Sequence, residues 1–410
     1  MLLHWIWLST RQGLSQRTKY ELVRQYTDPE AVYLEQGRSY REVKGVTPKG
    51  LAALKDKSLE EAKRILSRCR QLNVHLLTLQ DAAYPQRLKG IYDPPILLYC
   101  WGTLPDWEDR PLIGAVGTRH CSDAGIQAGH QLGYQIVRCG GGIVSGIAEG
   151  IDAAVLTGAL SAGGQVTVFL AGGVDVIYPK ENAALYEQVR SRGCLISEYP
   201  PGTQHLGWHF PVRNRMISGI SNSVLVVEAP EKSGALITAR HALEQGRDVY
   251  AVPCGFNIPS GKGSNALLKD GAAMAECGWD ILEQYQAMYP GRVVHREEGP
   301  DLSEMSGIPR KSWEDRPQKE KKSPRTVVSE KKVIDNGPKP PYIDVEKKPL
   351  AGTPEEQSIV DQLRSGPQLA DTVINRCGLA HAKALAAMTM LEIRGIVKRL
   401  PGNLLALNDT

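Results

Sequence analysis

Neither of the two common nucleotide-phosphate signatures occurs in the 410-residue chain. There is no G-x-G-x-x-G with an acidic residue downstream and no G-x-x-x-x-G-K-[ST]. The nearest approach to the second, "GFNIPSGKG" at Gly255 to Gly263, has one residue too many before Gly261 and no hydroxyl after Lys262. An NTPase is therefore unsupported. The eight cysteines, at 69, 100, 121, 139, 194, 254, 277 and 377, make no C-x-x-C and pair with no histidine at zinc spacing. No metal site is expected, and a reduced, cytoplasmic chain is the simplest reading. No apolar run approaches the ~18–20 residues that span a bilayer, so no membrane insertion is expected. The start, "MLLHWIWLSTRQGLS", has no basic region ahead of its apolar stretch and no small-residue cleavage site, and does not read as a signal peptide. No Ser, Cys or carboxylate is arranged with His209 as a nucleophile with its base. Glu149 and Asp152 read as helix-start charges rather than as a catalytic acid pair. Neither a catalytic residue nor a cofactor is expected.

Charge of one sign is also scarce. The formal net charge is only +4, far from the strong excess of many nucleic-acid binders, so any anion site has to be local. What the composition does provide is 42% apolar and 23% charged residues, an ordinary globular balance in a chain long enough for more than one domain.

Residues 1–75 read as a small helical domain. Asp28 is placed to cap a helix with Pro29 at its first position, and Ser58 with Glu61 has capping-box spacing. Over residues 76–295 short β-rich runs, among them "LIGAV", "GGIVSG", "QVTVFLAGG", "CLISE" and "SVLVVEA", alternate with helical stretches. That alternation predicts an α/β, Rossmann-like, doubly wound and mostly parallel sheet covered on both faces. Residues 296–353 read as a flexible linker, since residues 296–350 hold 8 prolines and 13 Lys or Arg against 11 Asp or Glu. Residues 354–410 suggest three short helices and a two-strand hairpin, the order of a winged helix. Its third helix offers only His381, Lys383 and Arg394 as cations, so a protein contact is at least as well supported as base reading.

In a doubly wound sheet ligands bind beyond the carboxyl ends of the strands, which makes the residues after each β run the ones to inspect. After "LIGAV" stand Gly117, Thr118, Arg119 and Ser122, the last placed to cap a helix; a close backbone approach, free N–H groups and a forked cation make a phosphate seat. Ser145, Gly146 and Gly150 bend into another helix, Tyr178 and Pro179 present Lys180, and Ser233 with Gly234 opens a further helix. In "FPVRNR", Phe210 to Arg215, two guanidinium groups flank Asn214 between apolar anchors. Arg213 and Arg215 are expected to face an anion, with one of the pair making a structural salt bridge to Glu198 or Glu228. Five turns thus converge on one edge, locally basic through Arg119, Lys180, Arg213 and Arg215.

At these residues the chain strongly resembles the bacterial DNA-processing protein A (DprA/Smf) family. "VGTRHCSDAG", "GGGIVSGIAEGIDAA", "DVIYPKEN", "LISEYPPG", "FPVRNRMISGIS", "VVEAPEKSGALITARHALEQGRDVYAVP" and "GSNALLKDGA" carry the resemblance, in order, over about residues 80–275. It implies a non-enzymatic protein that binds single-stranded DNA taken up in natural transformation, protects it, and loads the RecA recombinase while displacing or bypassing single-strand-binding protein. It also implies an N-terminal domain of the SAM/helix-hairpin-helix-like kind and a homodimer. The helices around residues 235–280 are the expected dimer contact, with the RecA contact nearby. Arg119 and Lys180 would line a basic pocket for the DNA backbone, and the arginines of Phe210 to Arg215 would face phosphates. Where the family turn commonly reads G-I-D-A-A-A-H, this chain has Gly150-Ile151-Asp152-Ala153-Ala154-Val155-Leu156, which removes a histidine and leaves backbone binding untouched. With no obvious row of stacking aromatics and Phe210 and Tyr178 the best candidates, weak sequence preference is expected.

Two other functions fit the pattern less well. A nucleoside-monophosphate phosphoribohydrolase would look like P-G-G-x-G-T-x-x-E, whereas Ala171 to Asp175 lacks the threonine and glutamate. A winged-helix transcription regulator with a nucleotide-sensing sheet domain would need a more basic third helix.

Overall fold

The computed structural model describes residues 2–36, 39–296, 299, 308–311, 353–364, 366, 368–377, 381–393, 396–400 and 404–408. The chain divides into two compact units, residues 1–321 and 322–410. Most of the expected linker, residues 296–353, lies outside the described residues.

The first unit begins with five helices, α1 (Leu2–Thr10), α2 (Gln16–Tyr26), α3 (Pro29–Leu34), α4 (Pro48–Lys55) and α5 (Glu60–Leu72). Asp28 Oδ1 accepts the Ala31 N–H at 2.8 Å and Pro29 fills the first position of α3, satisfying one of the donors a helix start leaves unpaired. The capping box expected at α5 does not form: Leu59 occupies the N-cap, and Glu61 reaches across to Arg11 at 3.4 Å. Arg11 is buried, so the carboxylate is drawn to a cation that cannot leave.

Nine strands follow: β1 (His75–Thr78), β2 (Leu97–Gly102), β3 (Leu112–Val116), β4 (Gly142–Ser145), β5 (Val166–Phe169), β6 (Cys194–Ser197), β7 (Ser223–Val226), β8 (Asp248–Ala251) and β9 (Ala273–Met274). Between them lie α6 (Gln86–Lys89), α7 (Asp123–Arg138), α8 (Ile151–Ser161), α9 (Ala183–Arg192), α10 (His209–Ile220), α11 (Gly234–Glu244) and α12 (Lys262–Lys269), with α13 (Gly278–Leu282) after the last. The sheet order is β1-β2-β6-β5-β4-β3-β7-β8-β9. The β1–β2 and β2–β6 pairings are antiparallel and all others parallel. Strands β3 to β7 are buried along their whole length, as expected where helices cover both faces. From β3 the chain winds outward to β6, then returns to β7 beside β3 and winds the other way. The crevice at this reversal is where a doubly wound sheet binds ligands.

Two glycines set the helices beside that crevice. A Cβ on Gly133 of α7 would stand 2.2 Å from the Val155 carbonyl oxygen of α8, and one on Gly158 of α8 would stand 2.0 Å from the His130 carbonyl oxygen of α7. Only glycine permits this contact, which brings the two backbones together. The core of the N-terminal helices, including Ile6, Trp7, Leu22 and Leu54, is continuous with that of the sheet.

In the second unit α14 (Pro354–Leu363), α15 (Ala370–Cys377) and α16 (His381–Ile393) precede a hairpin of β11 (Val397–Leu400) and β12 (Leu404–Leu407), to which the short β10 (Gln368–Leu369) adds a third strand. Thr353 and Glu356 form a reciprocal capping box at α14. Ala384, Ala387, Met388 and Leu391 of α16 are buried with Ile359, Val360 and Val373 and form a core face of the third helix, while Met390 is exposed. Lys383 is exposed; the His381 side chain and Arg394 lie outside the described residues. The expected winged helix is found. Among the described residues no helix is long and apolar enough to cross a membrane, and the eight cysteines are free.

Candidate nucleic-acid interface

A cavity of about 290 Å³ lies at the switch point. Gly117, Thr118, Arg119 and His120 reach it from the end of β3, Ala148 from the turn after β4 and Asp152 from the start of α8, Pro230, Lys232 and Ser233 from the turn after β7 and Gly234 and Ala235 from the start of α11, and Phe210, Arg213 and Asn214 from α10. Eight of the sequence-predicted site residues therefore come together: Gly117, Thr118, Arg119, Phe210, Arg213, Asn214, Ser233 and Gly234.

The turn after β3 is held by Glu228. Its backbone carbonyl accepts the Thr118 N–H at 2.7 Å, and its carboxylate accepts the Ser122 N–H at 3.1 Å and the Ser122 hydroxyl at 2.7 Å. Ser122 Oγ in turn accepts the Gly125 N–H at 3.0 Å and caps α7. Ser122 is thus a builder of the turn and not part of the cavity wall. Gly117 is needed because a Cβ there would meet Ile151 at 2.6 Å.

The first turn of α11 faces the same space with Ser233, Gly234 and Ala235. Ser233 Oγ accepts the Ala235 N–H at 3.2 Å, and the positive end of the helix dipole lies at the cavity wall. Lys232, next to the N-cap, adds an exposed cation. Sequence reasoning passed over it; its place immediately before a cap at a strand end was the available signal. Asn214 donates to the Gly234 carbonyl oxygen at 3.2 Å and ties α10 to this turn.

Arg213 is 5% exposed. It donates to the carbonyl oxygens of Gly146, at 3.0 Å, and Phe169, and to Asn214 Oδ1 at 3.2 Å. Burial pulls its guanidinium down to about 10, against the favourable charge of Asp152. The Asp152 carboxyl, buried and accepting the Ala148 N–H at 3.3 Å, is pushed above its usual value by burial, against the pull of Arg213. The cavity wall therefore carries three cations, Arg119, Arg213 and Lys232, against one carboxylate. Phe210 has the Arg119 guanidinium 5.3 Å from its ring centroid and that of Arg213 at 6.0 Å, a cation–π arrangement that orients both charges.

Beyond Phe210 an aromatic group continues: Tyr178 stacks on His205 at 5.2 Å and meets Phe210 at 5.7 Å. Burial holds the His205 ring below its usual value. Lys180 stands two residues after Tyr178, exposed at the start of the turn Lys180–Asn182 and outside the cavity wall.

Besides Ser122 and Lys180, three further expected residues lie off the cavity wall. Arg215 does not face the cavity: it is 4% exposed and bonded to both Glu198 oxygens at 3.1 and 2.9 Å and to Asp93 at 3.0 Å. This is the structural salt bridge expected of one of the pair, and it takes Arg215 out of the anion site. Ser145 is fully buried and donates to the Ala115 carbonyl oxygen at 2.7 Å, stitching β4 to β3. Gly146 lies under the site, where a Cβ would stand 2.4 Å from the Arg213 guanidinium; it makes room for the arginine and takes no part in the cavity wall.

A doubly wound sheet with a cation-rich crevice at its switch point and no dinucleotide fingerprint defines a Rossmann-like protein. Residues 75–286 match the family described as DNA recombination-mediator protein A, and residues 345–403 match the DprA winged helix domain. Protein Smf of Synechocystis is 34% identical over 348 residues, 83% of this chain and 81% of that protein. The DNA processing protein DprA of Bacillus subtilis is 41% identical over 221 residues, 54% of this chain and 74% of that protein. The X-ray structure of DprA from Streptococcus pneumoniae superposes with a TM-score of 0.62 at 30% identity, covering 69% of this chain and 98% of that one. The chain belongs to the DprA/Smf family of DNA-processing proteins.

Proposed function

We propose that the switch-point cavity binds the sugar–phosphate backbone of single-stranded DNA, and that the protein protects incoming strands in natural transformation and loads RecA onto them past single-strand-binding protein. The observation that carries this is the meeting of Arg119, Arg213, Lys232 and the first turn of α11 around Phe210. Cations and helix N–H groups suit phosphate oxygens, and the pair formed by half-buried Phe210 and exposed Tyr178 suits an unpaired base. The role is binding and not catalysis: Asp152, the one carboxylate on the wall, is buried opposite Arg213 as its counter-charge.

A homodimer belongs to the same reading. Among the described residues the edge strand β9 pairs with β8 alone, and Leu243, Phe256 and Met274 in this part of the chain are 62%, 91% and 53% exposed. Apolar side chains at an open sheet edge favour pairing with a second copy. Sedimentation of wild type and Leu243→Glu/Met274→Glu should show dimer and monomer respectively.

The test of loading is RecA ATP hydrolysis on a single strand pre-coated with single-strand-binding protein. The protein should shorten the lag, and Arg119→Ala/Lys232→Ala should not. An unchanged lag with the wild type sets the loader role aside and leaves the strand-binding site standing.

A further inference from the structure

Residues 308–311, in the stretch whose composition reads as a tether, are bound to the rim of the site. The Lys311 N–H donates to the Arg119 carbonyl oxygen at 3.1 Å, and the Gly150 N–H donates to the Pro309 carbonyl oxygen at 2.9 Å. His120 and Lys311 pair as a parallel bridge, and Ile308 packs on the core. The segment runs between the turn after β3 and the start of α8, the two backbone turns that border the cavity.

Its side chains meet the acids of that rim. Arg310 is ion-paired with Asp123, the first residue of α7, and Lys311 Nζ stands 3.2 Å from Glu149 Oε2. Glu149 is nearly buried and Asp123 exposed, whereas Arg310 and Lys311 keep 39% and 48% of their side chains open. None of the four residues forms the cavity wall, so the segment borders the opening without filling it.

We propose that residues 308–311 are part of the strand-binding surface, a rim that lies downstream of the matched family domain, ending at residue 286. Arg310 and Lys311 offset two carboxylates that would repel a polyanion and, being about half open, present their free N–H groups beside Arg119, where the phosphates flanking the cavity pass. The segment is held by backbone hydrogen bonds, so these cations are positioned before DNA arrives, which lowers the ordering cost of binding. This inference rests on the single-strand reading of the cavity.

The test is fluorescence-anisotropy binding of labelled oligo-dT by the full chain across a salt series, comparing wild type, Arg310→Ala/Lys311→Ala, and that variant with Asp123→Asn/Glu149→Gln added. The first variant should bind several-fold more weakly, with a log–log salt slope lower by up to about 1.4, two contacts at roughly 0.7 each. Removing the two acids should recover part of the affinity and none of the slope. Unchanged affinity and slope would overturn the proposal, as would tighter binding, which would make the segment a competitor for DNA. Both substituted side chains are exposed, and an unchanged melting curve shows the variant folded. A wild type that does not bind oligo-dT sinks the single-strand reading together with this one, whereas binding by the wild type with an indifferent variant sinks this one alone.

Discussion

The two faces of α10 hold arginines two residues apart and use them in opposite ways. Arg215 is surrounded by Glu198 and Asp93, and the two acids raise its guanidinium well above its ordinary value despite burial. Arg213 is equally buried but answered by carbonyl oxygens, Asn214 and the charge of Asp152 alone, without a bonded carboxylate among the described residues, and burial lowers its guanidinium to about 10. One charge is spent on holding α10 against β6 and the Asp93 loop. The other remains a source of positive potential at the cavity. A buried cation with too few counter-charges is costly in the free protein, and a bound phosphate is the group that would relieve it.

The sharpest way to break this contrast is to remove the paired arginine. Arg215→Ala should cost about 3–5 kcal/mol in denaturant unfolding, because it strands the buried Glu198 carboxylate. A loss under about 1 kcal/mol would mean that the pair is dispensable. Lys19 tests the same acidic face next: burial lowers its ammonium from 10.5 to about 8 while the charge of Glu198 opposes the shift. The unfolded chain binds the extra proton between those values, so stability should rise with pH from about 8 to 10.5, by at most about 3 kcal/mol. Lys19→Met should remove that rise in melts recorded over the window, and an unaltered rise would place its origin elsewhere.

On the cavity face, Arg119→Ala should leave the melting curve in place and weaken single-strand binding roughly tenfold or more, the worth of a charge-assisted contact of about 1.5–3 kcal/mol. Its salt slope should fall by about 0.7. Lys180→Ala, off the cavity wall, should show the same signs with a smaller loss. The least effect is expected from deleting residues 354–410, which should leave most of the affinity, since Ala384, Ala387, Met388 and Leu391 of α16 are buried in the core of their own unit. A large loss there would move the DNA site to the winged helix.

Much of the sheet was legible because β3 to β7 are buried on both faces, so their sequences are nearly continuous apolar runs ended by glycine turns. The cavity turns were legible for the same reason: Gly117 and Ser233 sit at strand ends where a helix must start. That one arginine of the pair would be salt-bridged was also legible; which one was not. In a helix, two residues apart means roughly 200° around the axis, so the two arginines face opposite ways, and only the packing of α10 decides that Arg215 is the one turned to Glu198. The capping box at Ser58 failed for a related reason, since the buried Arg11 outcompetes a local cap for Glu61. Residues 308–311 were hidden by composition. Proline and lysine between charged neighbours read as tether, and nothing local announces a backbone bond to Gly150.

The most direct measurement is anisotropy binding of the wild-type protein to labelled poly-dT and to a matched duplex, each over the same salt series. A clear preference for the single strand is expected, with a slope of several phosphate contacts at roughly 0.7 each. Equal or tighter binding to duplex, or no salt-dependent binding to either, would contradict the assignment of the switch-point cavity to single-stranded DNA.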